Sequence, residues 1–227
     1  ASLRMGLVLL ILIPFWRFKI PDKKYFPALL AFSISMGVMV YVFMNLSLYH
    51  SSIISPIILG SQLAIPFGIL ASALIIGENI SSKKWIFILT AFVGILIIFF
   101  DPNLANNFLG LFFASLMALF FGLAQVYSRQ LKDLDTSLLN SSVALFGFVI
   151  LLFISYLIEG ETVLNIKLIS LDSWILILYQ AIIVSLCAHL LMFYLYKFYT
   201  VGKIFPFYSL FPIFGIIMSF LIFGEVP

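Results

Sequence analysis

The stretch LYHSSIISPIILGSQLAIPFGILASALIIGE at residues 48–78 returns as LYKFYTVGKIFPFYSLFPIFGIIMSFLIFGE at residues 195–225. At an offset of 147 residues, 12 of the 31 positions are identical, among them Gly68/Gly215, Ser72/Ser219 and the closing pairs Gly77-Glu78 and Gly224-Glu225. Apolar stretches match one another by composition alone, but glycines and a glycine-glutamate pair at fixed places do not come from composition. A repeat of this length bears on the whole architecture, because it divides the chain into comparable structural units.

Working outward, the solvent of those units is set by composition. The chain has 227 residues, of which 64% are apolar and 9% charged, against about 25% charged in a typical soluble domain. With 26 Phe and a mean hydropathy of +1.23, it reads as an all-α integral membrane protein. Eight hydrophobic segments can be drawn, at residues 1–16, 26–48, 53–76, 84–100, 108–128, 136–158, 173–196 and 203–223. They lack the two-residue alternation of barrel strands, and helices are the other way to satisfy a backbone in lipid. The first run lacks a small-residue cleavage site and is followed closely by another span, so it reads as part of a spanning helix and not as a signal peptide.

The repeat and the charges together predict topology. Ten of the twelve Lys and Arg fall in one set of alternate loops: Arg17, Lys19, Lys23, Lys24, Lys83, Lys84, Arg129, Lys132, Lys197 and Lys203. The other set holds Lys167, with Arg4 near the exposed start of the first segment. Positive residues mark the cytoplasmic side. Four spans precede Glu225 after the loop at 101–107, and three precede Glu78. Restoring symmetry adds one helix at each end. The expectation is a ten-span bundle of two inverted five-helix units, with about eight spans present, residues 1–100 forming the first repeat and 101–227 the second. Inverted repeats hold substrate near the midplane where the halves meet, often beside helices interrupted by Pro or Gly. Pro66 with Gly68, and Pro212 with Gly215, are such interruptions in the two matched segments, with Pro56 and Pro206 earlier in the same helices.

This arrangement resembles the EamA-type members of the drug/metabolite transporter superfamily. The resemblance rests on a proline, about a dozen mostly apolar residues, Gly-Glu, a short polar turn and another helix, as in Pro66 to Gly77-Glu78 and Pro212 to Gly224-Glu225. Pro66 stands one residue closer to its glutamate than the family pattern has it. AFVGILI at residues 91–97 is similar to the family's glycine-containing fifth helix. GKIFPFYSLFP at 202–212 and LGSQ at 59–62 look most like amino-acid-metabolite exporters. The resemblance implies a ten-helix fold and a secondary transporter of a small polar metabolite, such as an amino acid or derivative, in a bacterial inner membrane. A flippase for a lipid-linked sugar is the alternative carried by related proteins of this fold.

Polar groups within the spans are the candidate pathway residues, because each is costly in hydrocarbon. No acidic residue stands clearly mid-span. His189, with Ser185 one turn earlier, is placed to hydrogen-bond substrate or take a proton. Gln62 lies in the first proline-broken helix, and its repeat partner is Ser209, beside Tyr208. Tyr41 and Asn45 share a face by four-residue spacing. Gln125 and Tyr127 lie toward the end of their span. Each has a bland counterpart in helix-to-helix hydrogen bonding. Gly77, Glu78, Gly224 and Glu225 read as structural turns, the carboxylate capping free amides of the next helix. Neither a nucleophile–base–orienter set nor a metal-ligand spacing is present, so no enzyme activity, metal or cofactor is expected. The lone cysteine, Cys187, sits in an apolar run as a small hydrophobe. The expected partners are a small-molecule metabolite and membrane lipid, with a homodimer compatible and nucleic acid excluded by the scattered charge.

Overall fold

The computed structural model describes residues 1–15, 21–51, 55–100, 107–160 and 170–214, and among these there is no β-strand. Among the described residues the helical segments used below are, in order, α1 (Ser2–Leu12), α2 (Lys23–Tyr49), α3 (Ser55–Ser61), α4 (Ala64–Ile76), α5 (Ser82–Phe99), α6 (Phe108–Gln130), α7 (Thr136–Glu159), α8 (Leu171–Leu195) and α9 (Val201–Phe214). Four of the described helices, α2, α6, α7 and α8, are long and apolar enough to cross a membrane. Large apolar side chains also stand on their surfaces, such as Phe153 on α7 and Leu176 on α8. A helix apolar on all sides suits hydrocarbon and not water.

The helix ends follow local chemistry. Asp135 caps α7 by accepting from the Ser137 amide at 2.9 Å, and Ser170 caps α8 through the Ser173 amide at 3.2 Å. At the end of α4, Gly77 takes φ +70°, the left-handed conformation that glycine adopts without steric penalty. The Gly224-Glu225 pair and Gly215 lie outside the described residues.

Two compact units divide the chain, Ala1–Val42 with Tyr127–Phe198 and Phe43–Val126 with Tyr199–Pro227. In the first unit, α1 packs on α7 and α8. Gly37 and Gly147 meet backbone to backbone, since a Cβ on Gly37 would stand 2.6 Å from the Val143 carbonyl and one on Gly147 would stand 2.8 Å from the Gly37 carbonyl. Small residues at such crossings let helices approach in a bilayer. The Arg129 guanidinium donates to the Tyr196 and Lys197 carbonyls, closing the end of α8. Two segments of this unit widen into π-helix, Ser35–Met39 in α2 and Gln180–Ala188 in α8. Arg4, expected near an exposed start of its segment, is only 8% exposed. Its side chain lies along α8 and not in a loop, because α1 itself is packed on both neighbours.

In the second unit, α4 crosses α6 at Gly68 and Gly122, where a Cβ on Gly122 would stand 2.7 Å from the Gly68 nitrogen and 2.8 Å from the Ala64 carbonyl. Gly68 thus serves close packing, with the ring of Phe205 also set against its Cα, where a Cβ would stand 2.7 Å from the ring. The segment at 53–76, drawn as one helix from sequence, consists over its described part of α3 and α4, separated at Gln62-Leu63.

Candidate functional site

The separation of α3 from α4 has a local cause. Proline lacks the N–H that would bond to the carbonyl four residues back, and its ring clashes with that carbonyl. For Pro66 the carbonyl is that of Gln62, and it accepts instead from the Ile65 amide at 3.2 Å. In α9, Pro212 leaves the Tyr208 carbonyl, which accepts instead from the Phe211 amide. Each proline is therefore preceded by a tightened three-residue turn. Regular α-helix resumes at Ala64 in one segment and at Phe211 in the other, two positions matched in the sequence repeat. In α9 the tightening extends over Phe205–Leu210 as a 3-10 helix, a geometry that often marks a hinge when it interrupts a helix.

Both breaks face one cavity of about 620 Å³ in the second unit. The repeat partners Gln62 and Ser209 line it, and so do the partners Ile65 and Pro212. Pro66, Ile69 and Pro206 add to the same walls, and α5 supplies Lys84, Phe87, Ile88 and Ala91. Neither amide atom of Gln62 has a hydrogen-bond partner, although both are buried. A buried polar group without a partner is costly, and such groups call for an explanation in a native fold. The Ser209 hydroxyl donates to the Pro206 carbonyl at 2.7 Å. Tyr208 belongs to an aromatic group with Phe121, Phe205 and Phe211, the last stacked on it at 5.6 Å.

Glu78 stands at the edge of this region. Its carboxylate accepts from the Val201 and Gly202 amides at 3.2 and 3.4 Å. The capped helix is α9, and not the following helix as expected from sequence. The packing of α9 on α4 brings the Val201 and Gly202 amides to the carboxylate. By sequence position alone Lys84 is one of the loop cations. Its position at the start of α5 conceals that the side chain reaches into the cavity wall.

The remaining candidates do not join this cavity. Gln125 is fully buried, its amide donating to the Phe121 carbonyl of its own helix at 3.1 Å while its oxygen has no partner. Asn45 is exposed, whereas Tyr41 four residues earlier is buried. Tyr41 and His189 belong to the first unit. The Tyr41 ring lies under the Arg4 guanidinium at 5.3 Å, and the His189 ring packs on Phe193 at 6.0 Å. Arg4 Nε donates to the Ser185 hydroxyl at 2.8 Å, and Asn140 donates to the Ser185 carbonyl at 2.8 Å. Arg4 and Asn140 were not singled out from sequence. The available signal is a charge in the otherwise apolar run LRMGLVLL and an amide within the serine-containing span segment SLLNSSVAL.

The family comparison decides what kind of molecule carries these features. The model of the EamA-like transporter family matches residues 108–227. The chain belongs to the EamA-like transporter family. The match takes in α6 to α9 and the second of the two matched stretches, and no curated protein matches the chain. As an EamA-type member of the drug/metabolite transporter superfamily, the chain is a multi-pass membrane transporter, from a family of transporters and not of enzymes.

Proposed function

We propose that this EamA-like protein is a secondary active transporter that exports a small polar metabolite, an amino acid or a derivative, across a bacterial inner membrane by alternating access. The reading takes the full protein as ten spans in two inverted five-helix repeats, residues 1–100 and 101–227 belonging to one each, with the Lys- and Arg-rich loops in the cytoplasm. Carrying it is the convergence of two proline-broken segments, one from each matched stretch, on a cavity that holds the unpartnered amide of Gln62. Broken helices in corresponding places mark the binding region of transporters built from repeats. Gln62 and Ser209 would offer hydrogen bonds to the solute, with Lys84 in the same wall, while Ile65, Ile69 and Phe87 would meet an apolar side chain. Tyr41, Asn45, Gln125, His189 and Tyr208 are proposed to line the remainder of the pathway. Glu78 serves the structure, as a helix cap.

The test is uptake and efflux by the full-length protein in proteoliposomes, against a panel of amino acids, with and without a pH gradient. Movement of a subset of solutes, lost in Gln62→Leu, supports the proposal. No movement under any gradient sinks it. The largely apolar walls favour one further reading, a flippase of a lipid-linked sugar or similar amphiphile. Scrambling of a fluorescent lipid-linked sugar in the same vesicles, with no amino-acid flux, would select that alternative.

A further inference from the structure

A second polar centre lies in the first unit. Arg4 is nine-tenths buried in α1, and its neighbours Met5 and Gly6 pack beside Gly147 and Phe148, midway along α7. Its contacts are all neutral: the Ser185 hydroxyl at Nε and the Tyr41 ring under the guanidinium. Among the described residues no carboxylate is paired with it. A full charge inside a spanning bundle is expensive and almost always answers to another charge. The described acidic residues, Asp22, Glu78, Asp133, Asp135, Glu159 and Asp172, all stand at or beyond helix ends.

The backbone around Arg4 is shaped for it. The His189 amide bonds to the Val184 and Leu186 carbonyls and passes over that of Ser185. The Ser185 carbonyl accepts the Asn140 side chain instead, which orients the residue whose hydroxyl takes Arg4 Nε. On the other side, the π-turn Ser35–Met39 immediately precedes the helical turn that presents Tyr41. Two π-segments beside one buried charge are unusual, since single π-turns are rare and gather at functional sites.

We infer that Arg4 is a carboxylate anchor for the transported solute, held in position by Ser185, Asn140 and Tyr41. The inference rests on the transporter reading for the identity of its ligand, but the anchor can be tested by binding alone. A guanidinium presents a planar fork of donors that suits a carboxylate, and an anion supplied by the ligand completes a centre that otherwise holds an uncompensated charge.

The test is thermal unfolding of the full-length protein in detergent, with acetate, benzoate and the standard L-amino acids as probes, each beside its amide. At least one carboxylate should raise the melting temperature of the wild type while its amide does not. Arg4→Gln should abolish that shift, weakening carboxylate binding about thirtyfold or more. Arg4→Lys should keep part of it, retaining the charge without the fork. Without ligand, Arg4→Gln should melt no lower than the wild type, because the charge it removes is uncompensated. The anchor is overturned by the lack of any carboxylate-specific shift in the wild type, by an equal shift in Arg4→Gln, or by an Arg4→Gln protein that melts well below the wild type without ligand. The last result would make Arg4 a packing residue. A carboxylate-specific shift in a protein that moves no solute in vesicles would leave the anchor standing and overturn the transporter reading instead.

Discussion

Glu78 and Val201, 123 residues apart in sequence, are joined by a 3.2 Å hydrogen bond from the Val201 amide to the Glu78 carboxylate. The same carboxylate takes the Gly202 amide. The first-turn amides of a helix have no partner within it, and a negative charge there also meets the positive end of the helix dipole. The end of one matched segment is thereby tied to the start of the helix in the other.

Removing that cap should cost stability before it costs anything else. Glu78→Ala should destabilise the protein by about 1 kcal/mol, with Glu78→Gln losing less because the amide oxygen still accepts. Chemical denaturation in detergent would check this, and equal stability of Glu78→Ala and the wild type would remove the cap from the account.

Glycine positions separate sharply by what surrounds them. A methyl on Gly122 would meet the backbone of Gly68 and Ala64, which cannot step aside, whereas one on Gly94 meets nothing within 4 Å. Gly122→Ala should cost about 1–3 kcal/mol as an overpacked crossing. Gly94→Ala should be neutral or stabilising by up to about 1 kcal/mol. Melting temperatures of the two variants, measured side by side, should differ in that direction.

Gln62 should show a trade of stability against activity. Both amide atoms are buried and unpartnered, so Gln62→Leu should stabilise the solute-free protein by about 1 kcal/mol while removing transport. A Gln62→Leu protein that transports normally would take Gln62 out of the pathway.

Pro66 should act through the carbonyl of Gln62. In Pro66→Ala the restored amide can take that carbonyl in a regular α-helical bond, drawing α3 and α4 into one helix. The expected result is an equal or higher melting temperature with slower transport. Faster transport would show that the break is not needed.

Much of this was legible along the chain, and the reason is range. Apolar length, the proline that blocks a carbonyl four residues back, and the glycine that turns left-handed after Ile76 each act within a turn or two, so α2, α6, α7, α8, the break before Pro66 and the Gly77 turn follow from local sequence. The match between residues 48–78 and 195–225 is likewise a property of sequence, and it identified Gln62 and Ser209 as partners before they were placed in one cavity. What local sequence could not supply was the identity of distant neighbours. Arg4 resembled a flanking loop charge until α1 was packed against α8 and its guanidinium met Ser185, 181 residues away. Glu78 was read as the cap of the next helix, but the packing of α9 gave its carboxylate to Val201. Lys84 was counted for topology and stands in the cavity wall. In each case a long polar side chain reaches past its own turn, and only the packing of helices determines what lies at its end.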